Sequence, residues 1–156
     1  MYRRKLAFSI EAAIVALACV TLGLAIKYAI QLWNAPVYGG DVNNTRPSRT
    51  TIIPEYSILP VITIVAGLFN MALHVASGVR ALYAVIVSSL LATAWLVMIA
   101  IWGQCHLQAH DNPDNPWYEV CYQTNIKADY KQDYIEGVSK ALGAAVVAFG
   151  ALIFIA

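Results

Sequence analysis

The residues of this sequence best able to do chemistry are an acid and a histidine that lie inside long apolar stretches. Glu11 follows Lys5 by six residues, and His74 precedes Arg80 by six residues. Six helical residues rise about 9 Å, so both side chains lie at a similar depth from a charged flank. Asn70 precedes His74 by four residues and shares its helical face. We therefore expect one intramembrane polar cluster that consists of Glu11, Asn70, His74 and Arg80.

This cluster has two interpretations. A carboxylate and an imidazole at one depth can act as general base and general acid, which makes Glu11 and His74 candidate catalytic residues. Alternatively, Glu11 and His74 hydrogen-bond each other or a backbone carbonyl, because such contacts commonly join helices inside membranes. The second interpretation is the commoner arrangement, and neither one calls for a cofactor.

A pair of cysteines offers a second kind of chemistry. Cys105 and Cys121 bracket a polar stretch, whereas Cys19 lies inside an apolar run. In an oxidising compartment we expect a disulfide between the first two, with two free thiols as the alternative. His106 and His110 lie in the same stretch, but the spacing of these four residues matches no standard zinc pattern. The sequence therefore predicts a disulfide and no metal site.

The composition indicates the surroundings in which these residues act. Hydrophobic residues make up 60% of the 156 residues, charged residues make up 12%, and the mean hydropathy is +0.61. These values are typical of membrane proteins rather than soluble domains. All of the acids except Glu11 lie in two polar stretches, after Trp33 and after Trp102. The chain has no basic surface of the kind that binds nucleic acid.

Four apolar stretches approach the roughly 20 residues that a helix needs to cross a bilayer core of about 30 Å. The first resembles a secretory signal, but its apolar run is longer than a signal core of about 7–15 residues. A turn at 77–80 separates the second stretch from the third, so these two should form an antiparallel hairpin. We predict a single domain, an all-α bundle of four transmembrane helices. The predicted spans are 6–33, 58–79, 81–102 and 138–156.

Charge predicts the orientation of this bundle. Positive residues favour the cytoplasm, and one side carries Arg3, Arg4, Lys5 and Arg80 with no acid beside them. Both termini are therefore predicted to be cytoplasmic, in the plasma membrane or an endomembrane, with outer loops at 34–57 and 103–137. Asn43 begins an Asn-Asn-Thr pattern in the first outer loop, which is either a glycosylation acceptor or an unmodified turn.

Aromatic and small residues suggest how the helices are placed and packed. Tyr56 and Trp102 are expected to mark the ends of spans at the headgroup level. Small side chains are expected to allow close approach of helix backbones. The small residues in question are Ala12, Ala16 and Gly23 in the first span, and Gly143 and Gly150 in the fourth.

Taken together, the four spans, the short turn at 77–80 and the second outer loop bracketed by Cys105 and Cys121 resemble the plan of MARVEL-type four-helix membrane proteins. The likeness covers nearly the whole chain and is one of architecture. It implies a role in membrane apposition, vesicle cargo sorting or lateral membrane organisation. It carries over no catalytic residues.

The sequence thus predicts an integral membrane protein with an organising, trafficking or scaffold role. Its expected partners are the lipid bilayer and other membrane proteins or further copies of itself. One alternative is a membrane-embedded cyclase, isomerase or hydrolase that acts on a hydrophobic metabolite. Another is an accessory subunit of a membrane complex. The enzyme would use Glu11 and His74, or a set in the second outer loop that comprises Asp129, Asp133, Glu136, His106 and His110.

Overall fold

The described part of the chain is helical throughout, apart from Ser139. The computed structural model describes residues 2–34, 49–76, 81–107 and 139–155. Its helices are α1 (Tyr2–Asn34), α2 (Arg49–Ala76), α3 (Ala81–Leu107) and α4 (Lys140–Ile155).

Three of these helices are long and apolar enough to cross a membrane. The candidate spans are Leu6–Asn34 in α1, Ile52–Ala76 in α2 and Leu82–Gln104 in α3. Helix α4 is also apolar, but it has 16 residues. That length corresponds to about 24 Å, against a bilayer core of about 30 Å. A fourth crossing therefore stays a prediction.

Helix α2 begins earlier than the sequence suggests. It starts at Arg49, inside the predicted outer loop 34–57, and contains Pro54 and Pro60. Proline predicts a loop because it lacks an N–H group and clashes with the carbonyl four residues earlier. The neighbouring Ile52 and Tyr56 are fully buried against the other helices. We attribute the helical start to this packing, which offsets the lost backbone hydrogen bond.

Helix α3 ends later than predicted. It continues to Leu107, so Cys105 and His106 belong to a helix rather than to the outer loop 103–137. Gly103 does not end it, since a glycine inside a helix costs only about 1 kcal/mol relative to alanine. Trp102, one residue earlier, is fully buried and holds this turn against the bundle.

Helix α4 begins at a capping residue. The Ser139 hydroxyl accepts a hydrogen bond of 3.3 Å from the Leu142 backbone N–H. The Ser139 carbonyl accepts a second bond of 3.2 Å from the Gly143 N–H. Serine is a favoured N-cap because its side chain satisfies one of the free N–H groups of the first turn. The cap explains why α4 starts two residues after the predicted position 138.

The four helices form a ring in chain order. The backbones of α1 and α2 pack along each other most extensively, and α4 packs against both α1 and α3. The backbones of α2 and α3 approach at only a few positions. Within the described ranges, α1 does not approach α3, and α2 does not approach α4.

Side-chain contacts show that three of the neighbouring pairs of helices are antiparallel. Between α1 and α2, Glu11 meets Asn70 and Tyr28 meets Tyr56. Between α2 and α3, Thr63 meets Trp95 and Phe69 meets Tyr83. Between α1 and α4, Gln31 meets Ser139 and Tyr28 meets Gly143. We call the end where α1 begins the terminal end, and the end where α1 finishes the loop end.

Apolar side chains point outward along the helices. Many large hydrophobic residues are at least two-fifths exposed, for example Val65 (60%), Leu82 (74%) and Leu90 (67%). The fully buried positions lie mostly between the middle of the bundle and the loop end. They include Ala18, Ala25, Leu32, Ile52, Tyr56, Trp95, Trp102 and Val146.

Candidate functional site

The candidate site is a hydrogen-bonded acid and amide at the terminal end of the bundle. The Asn70 side-chain amide nitrogen donates a hydrogen bond of 3.3 Å to Glu11 Oε1. Asn70 is buried, with 6% of its surface exposed, and Glu11 is half-buried. We call these two residues the polar pair. The pair joins α1 to α2 and fixes the direction of the carboxylate.

A glycine makes the close approach at the polar pair possible. A Cβ atom at Gly67 would overlap the Val15 side chain, and it would lie 3.8 Å from Glu11 Oε2. Gly67 is one turn before Asn70 on α2, and Val15 is one turn after Glu11 on α1. The two backbones therefore come together at the position where the carboxylate meets the amide.

The amide of Asn70 is only half satisfied. Its Oδ1 atom is enclosed and accepts no hydrogen bond from any residue that the structure describes. An enclosed polar atom without a partner costs about 1–3 kcal/mol. The energy gained from the 3.3 Å bond is therefore partly offset by the unpaired oxygen, so the polar pair contributes little to stability.

His74 lies near the polar pair without joining it. It is half-buried and one turn closer to the terminal end than Asn70. The antiparallel register places it level with about residue 7 of α1 rather than with Glu11. Among the described side chains, His74 forms no hydrogen bond with Glu11. The structure thus brings Glu11 and Asn70 together and leaves His74 a turn away.

Several predicted site residues lie outside what the structure describes. Arg80, Asn43, Cys121 and His110 are in undescribed segments, as are the acids of the second outer loop. Cys105 and His106 are in α3, but their side chains are not described. Among the described residues, no group of three or more His, Cys, Asp or Glu side chains could hold a metal ion. The disulfide and the glycosylation site stay predictions.

The feature that sequence reasoning missed is an aromatic core at the loop end, formed by Tyr28, Tyr56, Trp95 and Trp102. Tyr56 and Trp102 stack with ring centroids 5.4 Å apart and planes at 13°. Tyr28 meets Tyr56 edge-on at 5.6 Å, and Trp95 meets Trp102 edge-on at 6.2 Å. The side chains of Tyr56 and Trp102 are fully buried inside the bundle, where the backbones of α2 and α3 are far enough apart to hold whole rings between them. Their level relative to the head groups stays a prediction.

A neutral hydrogen bond lies at the centre of this aromatic core. The Trp95 indole N–H donates a bond of 3.0 Å to the Thr63 hydroxyl, which in turn donates one of 2.9 Å to the Leu59 carbonyl. The side chains of Trp95 and Thr63 are almost fully buried, and the polar group of each has a hydrogen-bond partner. The Trp102 indole nitrogen is also enclosed but lacks a partner among the described residues. Ring packing and this internal hydrogen bond help to hold the core.

Two glycines of α4 lie in close contact with aromatic rings of the neighbouring helices. A Cβ at Gly143 would lie 3.1 Å from the Tyr28 ring, and one at Gly150 would lie 3.0 Å from the Trp95 ring. These glycines admit aromatic rings from α1 and α3. Gly23, in contrast, has nothing within 4 Å of such a Cβ, and Ala16 is exposed. Of the three glycines singled out above, only the two of α4 lie at tight contacts.

Sequence spacing contained a signal for the aromatic core. Trp95 and Trp102 are seven residues apart, and so are Tyr56 and Thr63. Residues seven apart lie on one helical face. An aromatic pair at that spacing on α3, with a tyrosine and a threonine at the same spacing on the antiparallel α2, predicts a shared interior. The sequence does not show that both faces turn inward at the same level.

No family model, curated protein or solved structure matches this chain. The proposed function therefore rests on the residues themselves.

Proposed function

We propose that the chain is a four-span integral membrane protein with an organising, trafficking or scaffold role in its membrane. In this proposal the apolar α4 crosses with the other three helices, and both termini face the cytoplasm. The plan resembles that of MARVEL-type proteins, whose roles are of this kind. Lipids and neighbouring membrane proteins would be its partners.

The observation that carries the proposal is the distribution of side chains around the bundle. Large apolar side chains cover the outside of α2 and α3, including Ile58, Ile62, Val85 and Ile86 at 50–63% exposure. The buried polar side chains Thr21, Thr63 and Asn70 point inward. This arrangement suits lipid as the solvent, because exposed hydrocarbon of this extent marks a membrane or protein interaction surface.

The filled interior favours an organising role over catalysis. Aromatic rings occupy the space between α2 and α3, and Gly143 and Gly150 of α4 lie against the rings of Tyr28 and Trp95. Val15 fills the space beside Gly67. A ligand site normally needs a cleft or cavity that buries most of its ligand. These contacts leave little room for one in the middle and loop end of the bundle.

Membrane placement is tested by extraction and by glycosylation. We expect the chain to remain in the membrane pellet after treatment with alkaline carbonate. In eukaryotic membranes, an endoglycosidase should increase its mobility through Asn43, and Thr45→Ala should abolish that change. Release of the chain into the carbonate supernatant would overturn the proposed membrane placement. Glycosylation at a site engineered into the N-terminal segment would reverse the proposed orientation.

The proposed disulfide is tested on the same material. Mobility on a gel without reductant should differ from mobility with reductant, and Cys105→Ser or Cys121→Ser should remove the difference equally. Cys19→Ser serves as the matched control and should leave the difference intact. If the mobility is insensitive to reductant in all four proteins, the two thiols are free.

The organising role is tested with Glu11→Gln, His74→Ala and the double change in native membranes. If the residues are structural, abundance and host function should fall together in each single variant and, since His74 makes no contact with Glu11 in the described structure, the two losses should add in the double variant. Normal abundance with lost function in either single variant would instead support the second candidate, a membrane-embedded enzyme. The observation in favour of that candidate is the half-buried carboxylate that Asn70 holds in one direction.

A further inference from the structure

The contacts between neighbouring helices of this bundle are of two kinds. Helix α1 packs closely on α2 at Gly67, and α4 packs closely on α1 and α3 at Gly143 and Gly150. The backbones of α2 and α3, in contrast, approach at only a few positions. We call the contact between these two helices the α2–α3 seam. It is formed by side chains rather than by closely packed backbones.

Three pairs of side chains meet across the seam, in order from the loop end to the terminal end. They are Tyr56 with Trp102, Thr63 with Trp95, and Phe69 with Tyr83. The first and third are contacts between aromatic rings, with ring centroids 5.4 Å and 6.5 Å apart. The second is a hydrogen bond of 3.0 Å. Of the three contacts, it is the one that depends on a donor and an acceptor.

Helix α3 is held by few buried residues. In its most apolar stretch, 6% of the α3 span is buried, against 17% in α1 and 28% in α2. A segment with few buried contacts separates from its neighbours at a lower free-energy cost than the rest of a protein. Among the described helices that span the membrane by length, α3 is therefore the one that moves most easily.

Lipid as the solvent makes the ring contacts of the seam easy to exchange. Hydrocarbon tails are as apolar as the side chains, so no hydrophobic driving force holds helices together in a membrane. A ring that leaves the seam exchanges contacts with other rings for contacts with lipid chains. The Trp95 N–H, however, finds no acceptor in hydrocarbon. The hydrogen bond is thus the contact that most favours a closed seam over an open one.

The position of this hydrogen bond places it at the level of lipid chains. Trp95 is near the middle of the candidate span Leu82–Gln104, and Thr63 is near the middle of the candidate span Ile52–Ala76. The next residue after Trp95 and the residue before Thr63 are half-exposed. Separation of the two helices at this level brings buried side chains into contact with lipid rather than with water.

Separation of the helices leaves one donor without a partner. The Thr63 hydroxyl donates a bond of 2.9 Å to the Leu59 carbonyl of its own helix, and this bond persists when α3 moves away. The indole of Trp95 is the group that loses its acceptor. Such an interhelical hydrogen bond changes an equilibrium in a membrane by a factor of about three on average.

We propose that the α2–α3 seam opens laterally to the bilayer, and that the hydrogen bond from Trp95 to Thr63 keeps it closed. In the open arrangement the rings of the seam face lipid chains, while α1 keeps its packing on α2, and α4 keeps its packing on α3. The inference rests on the proposed membrane placement. It goes beyond the organising role, because it gives the bundle an aromatic surface that is presented only when the seam is open.

The test uses the full chain in nanodiscs of phosphatidylcholine, part of which carries a diazirine near the end of one acyl chain. Illumination releases nitrogen from the diazirine and leaves a carbene, which inserts into the side chains that the acyl chain contacts. Tandem mass spectrometry measures the labelling of Trp95 relative to that of the exposed Leu96. In Thr63→Val this ratio should rise at least roughly threefold, the factor expected for loss of an average interhelical hydrogen bond.

A second variant removes the same hydrogen bond from the other helix. Trp95→Phe keeps an aromatic ring but has no N–H to donate, and it should raise the labelling of Thr63 relative to that of the exposed Ile62 by a similar factor. Thr63→Ser keeps the hydroxyl and should retain the wild-type ratio at Trp95. If one of the two hydrogen-bond variants does not fold, the other decides the result.

Two controls separate opening of the seam from general loosening of the bundle. Gly67→Ala should destabilise the contact between α1 and α2, and Thr93→Val removes a hydroxyl from the exposed face of α3. Neither should raise the labelling of Trp95. An unchanged ratio in both hydrogen-bond variants, or an equal rise in Gly67→Ala, contradicts the opening of the seam alone. If the exposed reference residues are not labelled either, the membrane placement itself is wrong.

Discussion

Two side-chain hydrogen bonds between helices, one at the terminal end of this bundle and one at the loop end, differ in character. At the loop end, neutral Trp95 donates to neutral Thr63 at 3.0 Å inside a fully buried core. At the terminal end, Asn70 donates to the acid Glu11 at 3.3 Å, and the acid stays half-buried. The first bond completes the packing of large rings. The second joins α1 to α2 through an acid that stays partly exposed.

This difference shows that interhelical polar contacts in one bundle can have very different surroundings. A hydroxyl surrounded by rings has no room for another partner, and Thr63 uses its remaining donor on the Leu59 carbonyl. A carboxylate beside a glycine keeps acceptor positions open. We therefore expect stability to depend more on the loop end than on the terminal end.

The largest effect should come from Trp95→Ala, which removes a fully buried ring from the aromatic core. Truncation of a buried large aromatic costs about 3–5 kcal/mol. Unfolding of the purified chain in mixed detergent micelles, followed by circular dichroism, measures this change. Leu96→Ala is the matched control, because Leu96 is 53% exposed and should change stability by well under half as much. Equal effects of the two substitutions would show that the core does not hold the bundle.

Loss of the Thr63 hydroxyl should have the next largest effect. Thr63→Val preserves shape but leaves the buried Trp95 N–H without an acceptor, which costs about 1–3 kcal/mol. Thr93→Val is the control, since the Thr93 hydroxyl makes the same type of backbone bond, to the Ser89 carbonyl at 2.8 Å, on an exposed face. In the same unfolding assay, Thr63→Val should lower the stability measurably, and Thr93→Val should lower it only slightly. A larger effect at Thr93 would contradict the assignment of the interior.

A methyl group at Gly67 should be destabilising by a smaller amount. Gly67→Ala forces a Cβ into the Val15 side chain, and overpacking costs about 1–3 kcal/mol. The better helix propensity of alanine returns up to about 1 kcal/mol. The double variant Gly67→Ala, Val15→Ala should recover part of the loss. Gly23→Ala is the control, because a Cβ atom at Gly23 would meet only open space, and it should leave stability unchanged or increase it. A loss of stability in Gly23→Ala would argue against the described packing of α1.

The smallest stability effect is expected at the polar pair. Asn70→Leu removes one hydrogen bond and one enclosed unpaired oxygen together, so the free energy of unfolding should change by less than about 1 kcal/mol. Chemical denaturation of the variant beside wild type measures the difference. A loss as large as that of Thr63→Val would remove the distinction between the two ends of the bundle.

The helical class and the approximate helix positions could be predicted from the sequence, because uninterrupted apolar runs can satisfy their backbone only as helices in lipid. The start of α2 could not, since Pro54 signals a loop locally while the burial of Ile52 and Tyr56 depends on the other helices. At the candidate site, shared depth suggested Glu11, Asn70 and His74. It could not decide which of the two α2 residues meets the acid, because Asn70 and His74 share one helical face and differ by a single turn, and the register between α1 and α2 depends on contacts between the two helices.

By itself the sequence determined that the chain is apolar and helical, and that its acids, except Glu11, lie in the polar stretches between the apolar runs. Tertiary structure alone decided that Tyr56 and Trp102 face inward, and that Asn70 rather than His74 donates to Glu11. The physical reason is that the two kinds of information act over different distances along the chain. Hydropathy and helix period act within one segment, whereas the rotation and register of each helix are set by contacts between side chains far apart in the chain, such as Val15 beside Gly67.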